Sequence, residues 1–89
     1  MLLENHLDMR IAQVIREQVS EARAVANTSS SEWRAQCETA EAAVLGDPDR
    51  QIFLSHIAER RGNTAANDLA ESAKQMRTSA IFFLARKPS

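Results

Sequence analysis

Few residues in this chain are of types that carry out covalent or acid–base chemistry. There are two histidines, His6 and His56, and one cysteine, Cys37. A nucleophile needs a base within reach, and a metal ion needs ligands at matched spacing. Neither histidine has a second ligand at such a spacing, and no base lies near Cys37 in sequence. Cys37 instead falls in a stripe with Trp33, Ala40 and Val44, where a cysteine serves as a small hydrophobe. The carboxylate pairs Glu17/Glu21 and Glu38/Glu41 lie on helix faces. Arg34 stands four residues before Glu38, the spacing of a surface ion pair. There is no Gly-rich phosphate loop and no nucleophile elbow. The sequence therefore predicts no catalytic, cofactor or metal site, and a protein that is not an enzyme.

Binding chemistry is better represented. Nine of the eleven basic residues are arginine, whose planar guanidinium suits paired recognition of carboxylate or phosphate. The net charge is only −1, but it is unevenly spread: residues 1–49 sum to −5 and residues 50–89 to +4. One reading is that the two halves complement each other within the fold. The other is a basic face, built from Arg50, Arg60, Arg61, Lys74 and Arg77, that meets nucleic acid. The stretch "HIAERRGNTAANDLA" (56–70) bears on this choice, because helix, glycine and helix in succession suggest a helix-turn-helix. A DNA-reading second helix would present Thr64, Asn67, Asp68 and Glu71 first, and the two acids would repel phosphate. Arg60 and Arg61 end the preceding helix, where its dipole already favours cations. The stretch is better read as a glycine-capped corner, with nucleic-acid binding as the alternative function.

The elements that position these residues are helices. Two glycines and two prolines in 89 residues leave little for a turn-rich β fold, and 44% hydrophobic with 26% charged residues is ordinary for one globular domain spanning 1–89. Helix 1 runs from about Leu2 to Ala26, with Leu3, Leu7, Ile11, Val14, Ile15, Val19, Ala22 and Val25 at three- and four-residue steps. "NTSSS" ends it, and Ser29 with Glu32 resembles a capping box for helix 2, which runs to about Leu45. "GDPD" follows, with Gly46 suited to a left-handed cap, Asp47 to the N-cap and Pro48 to the first helical position. Helix 3 runs to about Arg61 with Ile52, Phe53, Leu54, Ile57 and Ala58 as core candidates. Helix 4 starts at Asn63 or Thr64 and holds helical spacing to about Arg86. "IFFL" (81–84) could alternatively form a short strand, but no partner strand is evident. The expected fold is all-α: a small four-helix bundle-like domain with longer first and last helices.

Unequal helix lengths have a consequence. In an up-down-up-down arrangement the long helices overhang at one end, which carries Leu2, Leu3 and Leu7 with Ile81, Phe82, Phe83 and Leu84. An uncovered apolar patch of this kind marks an association surface. The predicted partner-binding residues are Phe82, Phe83 and Leu84, with Arg77, Arg86 and Trp33 as adjuncts. Trp33 has two readings, closing the end of the core or anchoring an interface. The partner would be another protein or a second copy of the chain, giving a homodimer. One cysteine permits no internal disulfide and suits a reducing, cytoplasmic setting. No apolar run approaches the roughly 18 residues of a transmembrane helix, and "MLLENHLDMR" is too short and acidic for a signal peptide, so no membrane role is expected.

The run from Trp33-Arg34 and Cys37-Glu38 through Arg50, Phe53-Leu54, Ile57 and Arg61-Gly62 to Leu69 resembles a family of short, uncharacterised proteins of proteobacteria and their phages or prophages. The likeness covers residues 33–69. It implies no activity and no catalytic residues. It implies a setting among accessory proteins of mobile elements, some of which act by occupying a host protein. On that basis the expected function is a non-enzymatic protein-binding module, in its most concrete form an inhibitor of a host defence complex in the manner of an anti-CRISPR protein.

Overall fold

The structure is a computed structural model that describes residues 2–86, with side chains from Leu7 onward. Four helices follow one another: α1 (Leu2–Arg23), α2 (Ser31–Val44), α3 (Asp47–Arg61) and α4 (Asn63–Arg86). No strand occurs among the described residues. The segment 81–84 continues α4, so the helical reading of "IFFL" holds. The outer two helices are the long ones, at 22 and 24 residues against 14 and 15.

Each boundary has a local cause. α1 winds down through tighter turns, in which the Ala24 and Val25 amides donate to the carbonyls of Glu21 and Ala22. It therefore stops three residues before the expected Ala26. Val25 leaves the apolar stripe and stands exposed. Asn27 then folds the loop: its side-chain oxygen accepts from both the amide and the hydroxyl of Ser29, and its carbonyl accepts from the Ser30 amide. Those bonds engage Ser29, so Ser30 rather than Ser29 is the N-cap of α2. Its hydroxyl accepts from the Trp33 amide at 3.1 Å. Gly46 is also not a left-handed cap. Its backbone is extended (φ −68°) and it is the N-cap of α3, which places Asp47 in the first turn and Pro48 after it. Gly62 alone separates α3 from α4, at φ 96° and ψ 165°, a region that residues with a Cβ avoid.

Short connections make the helices alternate in direction. Along α1 and α2, Arg23 lies level with Trp33 and Ala12 with Val44. Along α3 and α4, Arg50 lies level with Arg77 and Ile81. α2 and α4 consequently run the same way, and they pack directly against each other. Each also packs on α1 and on α3, whereas α1 and α3 share no contact among the described residues. The cause lies in residue size. Among the described residues, seven of the thirteen buried hydrophobic ones are alanines, including Ala40, Ala42 and Ala43 on α2 and Ala66, Ala73 and Ala80 on α4. Small side chains let two helices approach closely, and the other two are then forced to opposite edges. The outcome is a slab of 42 × 35 × 14 Å.

Flatness limits burial. Among the described residues only Ile11 and Ile15 are large side chains sealed from solvent, both from α1. Ile52, expected in the core, is 59% exposed. Successive helical residues are turned by about 100°, so Ile52, Phe53 and Leu54 cannot all face inward on a helix at the slab's edge. Phe53 and Leu54 are half-buried and Ile57 takes the core position.

The two glycines differ in a measurable way. A Cβ added at either would meet nothing within 4 Å, so any cost is one of backbone conformation. Gly62→Ala is expected to destabilise the fold by about 1–3 kcal/mol, and Gly46→Ala to change it by less than about 1 kcal/mol. Urea unfolding followed by circular dichroism ranks them, and equal losses would contradict this reading of the α3–α4 corner.

Candidate interaction surface

The candidate surface is the end of the slab where α1 and α3 begin and α2 and α4 finish. Two arginines build it. α2 ends there with carbonyls that have no partner within the helix. Arg77, reaching across from α4, donates from Nη1 to the Ala43 carbonyl at 2.9 Å and from Nη2 to Asp8 Oδ1 of α1 at 2.8 Å. Its side chain is 16% exposed. Arg50, from the second turn's start in α3, donates from Nη1 to the Leu45 carbonyl at 2.7 Å and from Nη2 to Asp47. Guanidinium groups thus satisfy the end of α2 and bring the cation to the negative end of its dipole. The predicted contacts Arg77 and Arg50 are accordingly engaged inside the fold.

Beyond this level α1 and α4 project further. Leu7 on α1 and Ile81, Phe82 and Phe83 on α4 are exposed there, while Met9 on α1 and Ile52 on α3 are exposed just short of that level. Among the described residues Val25 is the one large exposed hydrophobic residue at the opposite end. The predicted trio Phe82, Phe83 and Leu84 does not share one face, for the same rotational reason as Ile52–Leu54. Leu84 turns inward against the core. Phe82 faces out beside Thr78, Ser79 and Gln75, and Phe83 stands between, 43% exposed. Arg86 is exposed at the tip. Leu2, Leu3 and His6, named with this end or as chemical candidates, lie outside the described side chains.

Elsewhere the predicted residues are dispersed. Arg61, at the end of α3, grips Glu38 of α2 with both nitrogens, Nη1 to Oε1 at 3.0 Å and Nη2 to Oε2. This displaces the expected Arg34–Glu38 pair: Arg34 reaches back to the Ser29 carbonyl instead. The Arg61 hydrogen bonds hold the Glu38 carboxyl below its ordinary range, against a smaller opposing effect of burial. Arg60 and Lys74 are exposed. Of the five residues proposed for nucleic acid, Arg50, Arg61 and Arg77 are held by protein groups; Arg50, Lys74 and Arg77 line one groove between α3 and α4, while Arg60 and Arg61 end α3.

Trp33 is buried and closes the far end of the α1–α2 interface. It lines a groove of about 530 Å³ with Val19, Cys37 and Val44, edged by Arg16, Arg23 and Glu41. Cys37 is half-buried there. His56 is exposed on α3. Among the described residues no three His, Cys, Asp or Glu side chains group as a metal site, and no helix is long and apolar enough to cross a membrane.

A model of a family of unknown function, DUF7696, matches residues 26–80. The matched stretch takes in α2, α3 and most of α4. No curated protein and no solved structure matches the chain.

Two expectations follow from the ion pairs. Arg77→Met should lower stability by about 1.5–3 kcal/mol, the worth of hydrogen bonds from a charged donor, while Arg86→Ala changes it by less than about 0.5 kcal/mol. Denaturant midpoints decide, and equal effects would remove Arg77 as the staple. For Glu38, whose pKa is depressed on folding, the stabilisation is fully present above the ordinary glutamate range. It is lost as pH falls through the lowered folded value. The stability gap between wild type and Glu38→Gln should thus be constant from neutral pH downward until that range, then close. A gap that widens in acid would contradict the assignment.

Proposed function

The chain belongs to the DUF7696 family of unknown function, and we propose that it is a non-enzymatic, all-helical module that works by binding protein through its apolar end. The observation that supports this reading is the concentration of exposed hydrophobic side chains at one end. Among the described residues six lie at or near it, Leu7, Met9, Ile52, Ile81, Phe82 and Phe83, and one, Val25, lies at the other end. Exposed apolar residues scattered singly are normal, whereas a collected patch is a binding feature. Arg10, Asp49 and Arg86 are exposed near the same end, and protein interfaces generally combine an apolar centre with a polar rim. A mobile-element accessory protein that sterically blocks a host complex, as an anti-CRISPR protein does, is the concrete form of this reading. It fits the resemblance of residues 33–69 to phage-associated chains. The reducing cytoplasm suits its single thiol.

The alternative, a nucleic-acid-binding regulator, has less support. Arg50, Arg61 and Arg77 spend their charge on Asp47, Glu38 and Asp8. Retention of DNA or RNA at low salt that fades steeply as salt rises would favour it.

Photo-crosslinking in cells tests the leading reading. A photoreactive residue in place of Leu7 or Phe82 is expected to trap protein, and one in place of Val25 to trap none. Equal yields at both ends, or none at either, would contradict it.

A further inference from the structure

The groove between α1 and α2 combines an apolar floor with polar groups that the fold leaves unused. Its volume of about 530 Å³ lies within the range of small-ligand sites, about 300–1,000 Å³. Trp33 and Val44 mark its two ends on α2, so it runs for about 16 Å along that helix. Val19, Cys37 and Ala40 form the floor between them. A partner helix, about 10–12 Å across, is nearly as thick as the slab's 14 Å thin axis. It would lie over the groove rather than in it.

The cations of this groove are free. Arg50, Arg61 and Arg77 each hold an acid, whereas Arg16 and Arg23 make no ion pair or hydrogen bond among the described residues. Neither has an acid three or four residues away on α1, so its own helix offers no partner at the usual spacing. The Trp33 indole N–H likewise has no acceptor. Among the described residues no buried side-chain nitrogen or oxygen lacks a partner, so this N–H keeps an opening to solvent although the residue is buried. The charges are also unevenly placed. Glu41 stands on the α2 wall at the level of Arg16, by the register that sets Arg23 level with Trp33, and offsets it. No acid lines the Arg23 end. α2 begins there, with the positive end of its dipole, and the exposed Glu32 of its first turn is outside the lining.

We propose that this groove binds a free, single-chain anionic amphiphile: a carboxylate on an unbranched alkyl chain of medium length. The head sits at Arg23 and the Trp33 N–H, where a guanidinium and a carboxylate form charge-assisted hydrogen bonds. The tail lies over Val19, Cys37 and Ala40 toward Val44. An uncharged chain would leave both donors unmet, and a cationic head would be repelled by Arg23.

The groove carries its own reporters, because Trp33 is the only tryptophan and Cys37 the only cysteine. The full purified chain is titrated with sodium dodecanoate below its micelle-forming concentration. Trp33 emission and the rate of Cys37 labelling by a maleimide are followed together. The expected result is a saturable, one-to-one change in emission, slowed labelling, and unchanged helical circular dichroism. Dodecanol and dodecyltrimethylammonium should bind at least tenfold more weakly. Arg23→Gln, at an exposed position, should weaken dodecanoate binding at least tenfold, and Arg86→Gln, at the other end, should leave it unchanged. No saturable response, or uptake of many dodecanoates with loss of helix, would overturn the proposal. So would equal binding of the cationic amphiphile, or an Arg23→Gln variant that binds as wild type. A response to anionic phospholipid vesicles in place of dodecanoate would make a membrane surface the ligand and overturn it as well.

Discussion

The constraint on which everything else depends is the close approach of α2 and α4. In a square four-helix bundle both diagonals are held apart by large central side chains. Here the buried positions of α2 and α4 are largely alanine, so one diagonal collapses and the other lengthens. α1 and α3 become edges rather than walls. A slab with a 14 Å thin axis results, and much of each edge helix stays in solvent. Because α1 and α4 are longer than the helices between them, their surplus turns collect at one end.

That collapse also dictates what the arginines do. Bringing α4 alongside α2 puts Arg77 next to the unfinished end of α2, where a carbonyl and a carboxylate from a third helix complete its hydrogen bonding. Arg61 ties the end of α3 to the middle of α2 in the same manner. Among the described residues all three ion pairs join an acid from residues 1–49 to an arginine from residues 50–89. The opposite charges of the two halves thus work inside the fold, and what remains at the apolar end is a mixed rim.

Much of this was legible in the residues, but unevenly. Helix number, type and approximate extent follow from three- and four-residue periodicity and from punctuation at 27–31, 46–49 and 62, because those signals are local. Caps were legible only to within a residue. Ser29 and Ser30 offer the same hydroxyl, and the choice between them depends on Asn27 engaging the first. The fate of "IFL" at 52–54 was not legible, since a run of apolar residues does not say how many neighbours its helix will have. Nor was the pairing of Glu38, where a two-pronged grip from 23 residues away prevails over the single local contact that Arg34 offered. The unequal helix lengths pointed to the apolar end, yet the inward turn of Leu84 and the occupation of Arg77 required three-dimensional neighbours. The match to DUF7696 over residues 26–80 adds kinship without chemistry.

The close pairing of α2 with α4 can be observed directly by methyl nuclear Overhauser spectroscopy on alanine- and isoleucine-labelled protein. Cross-peaks joining the methyls of Ala40, Ala42 and Ala43 to those of Ala66, Ala73 and Ala80 are the predicted result. Their absence, with cross-peaks joining α1 to α3 in their place, would mean a bundle collapsed along the other diagonal and would contradict the slab.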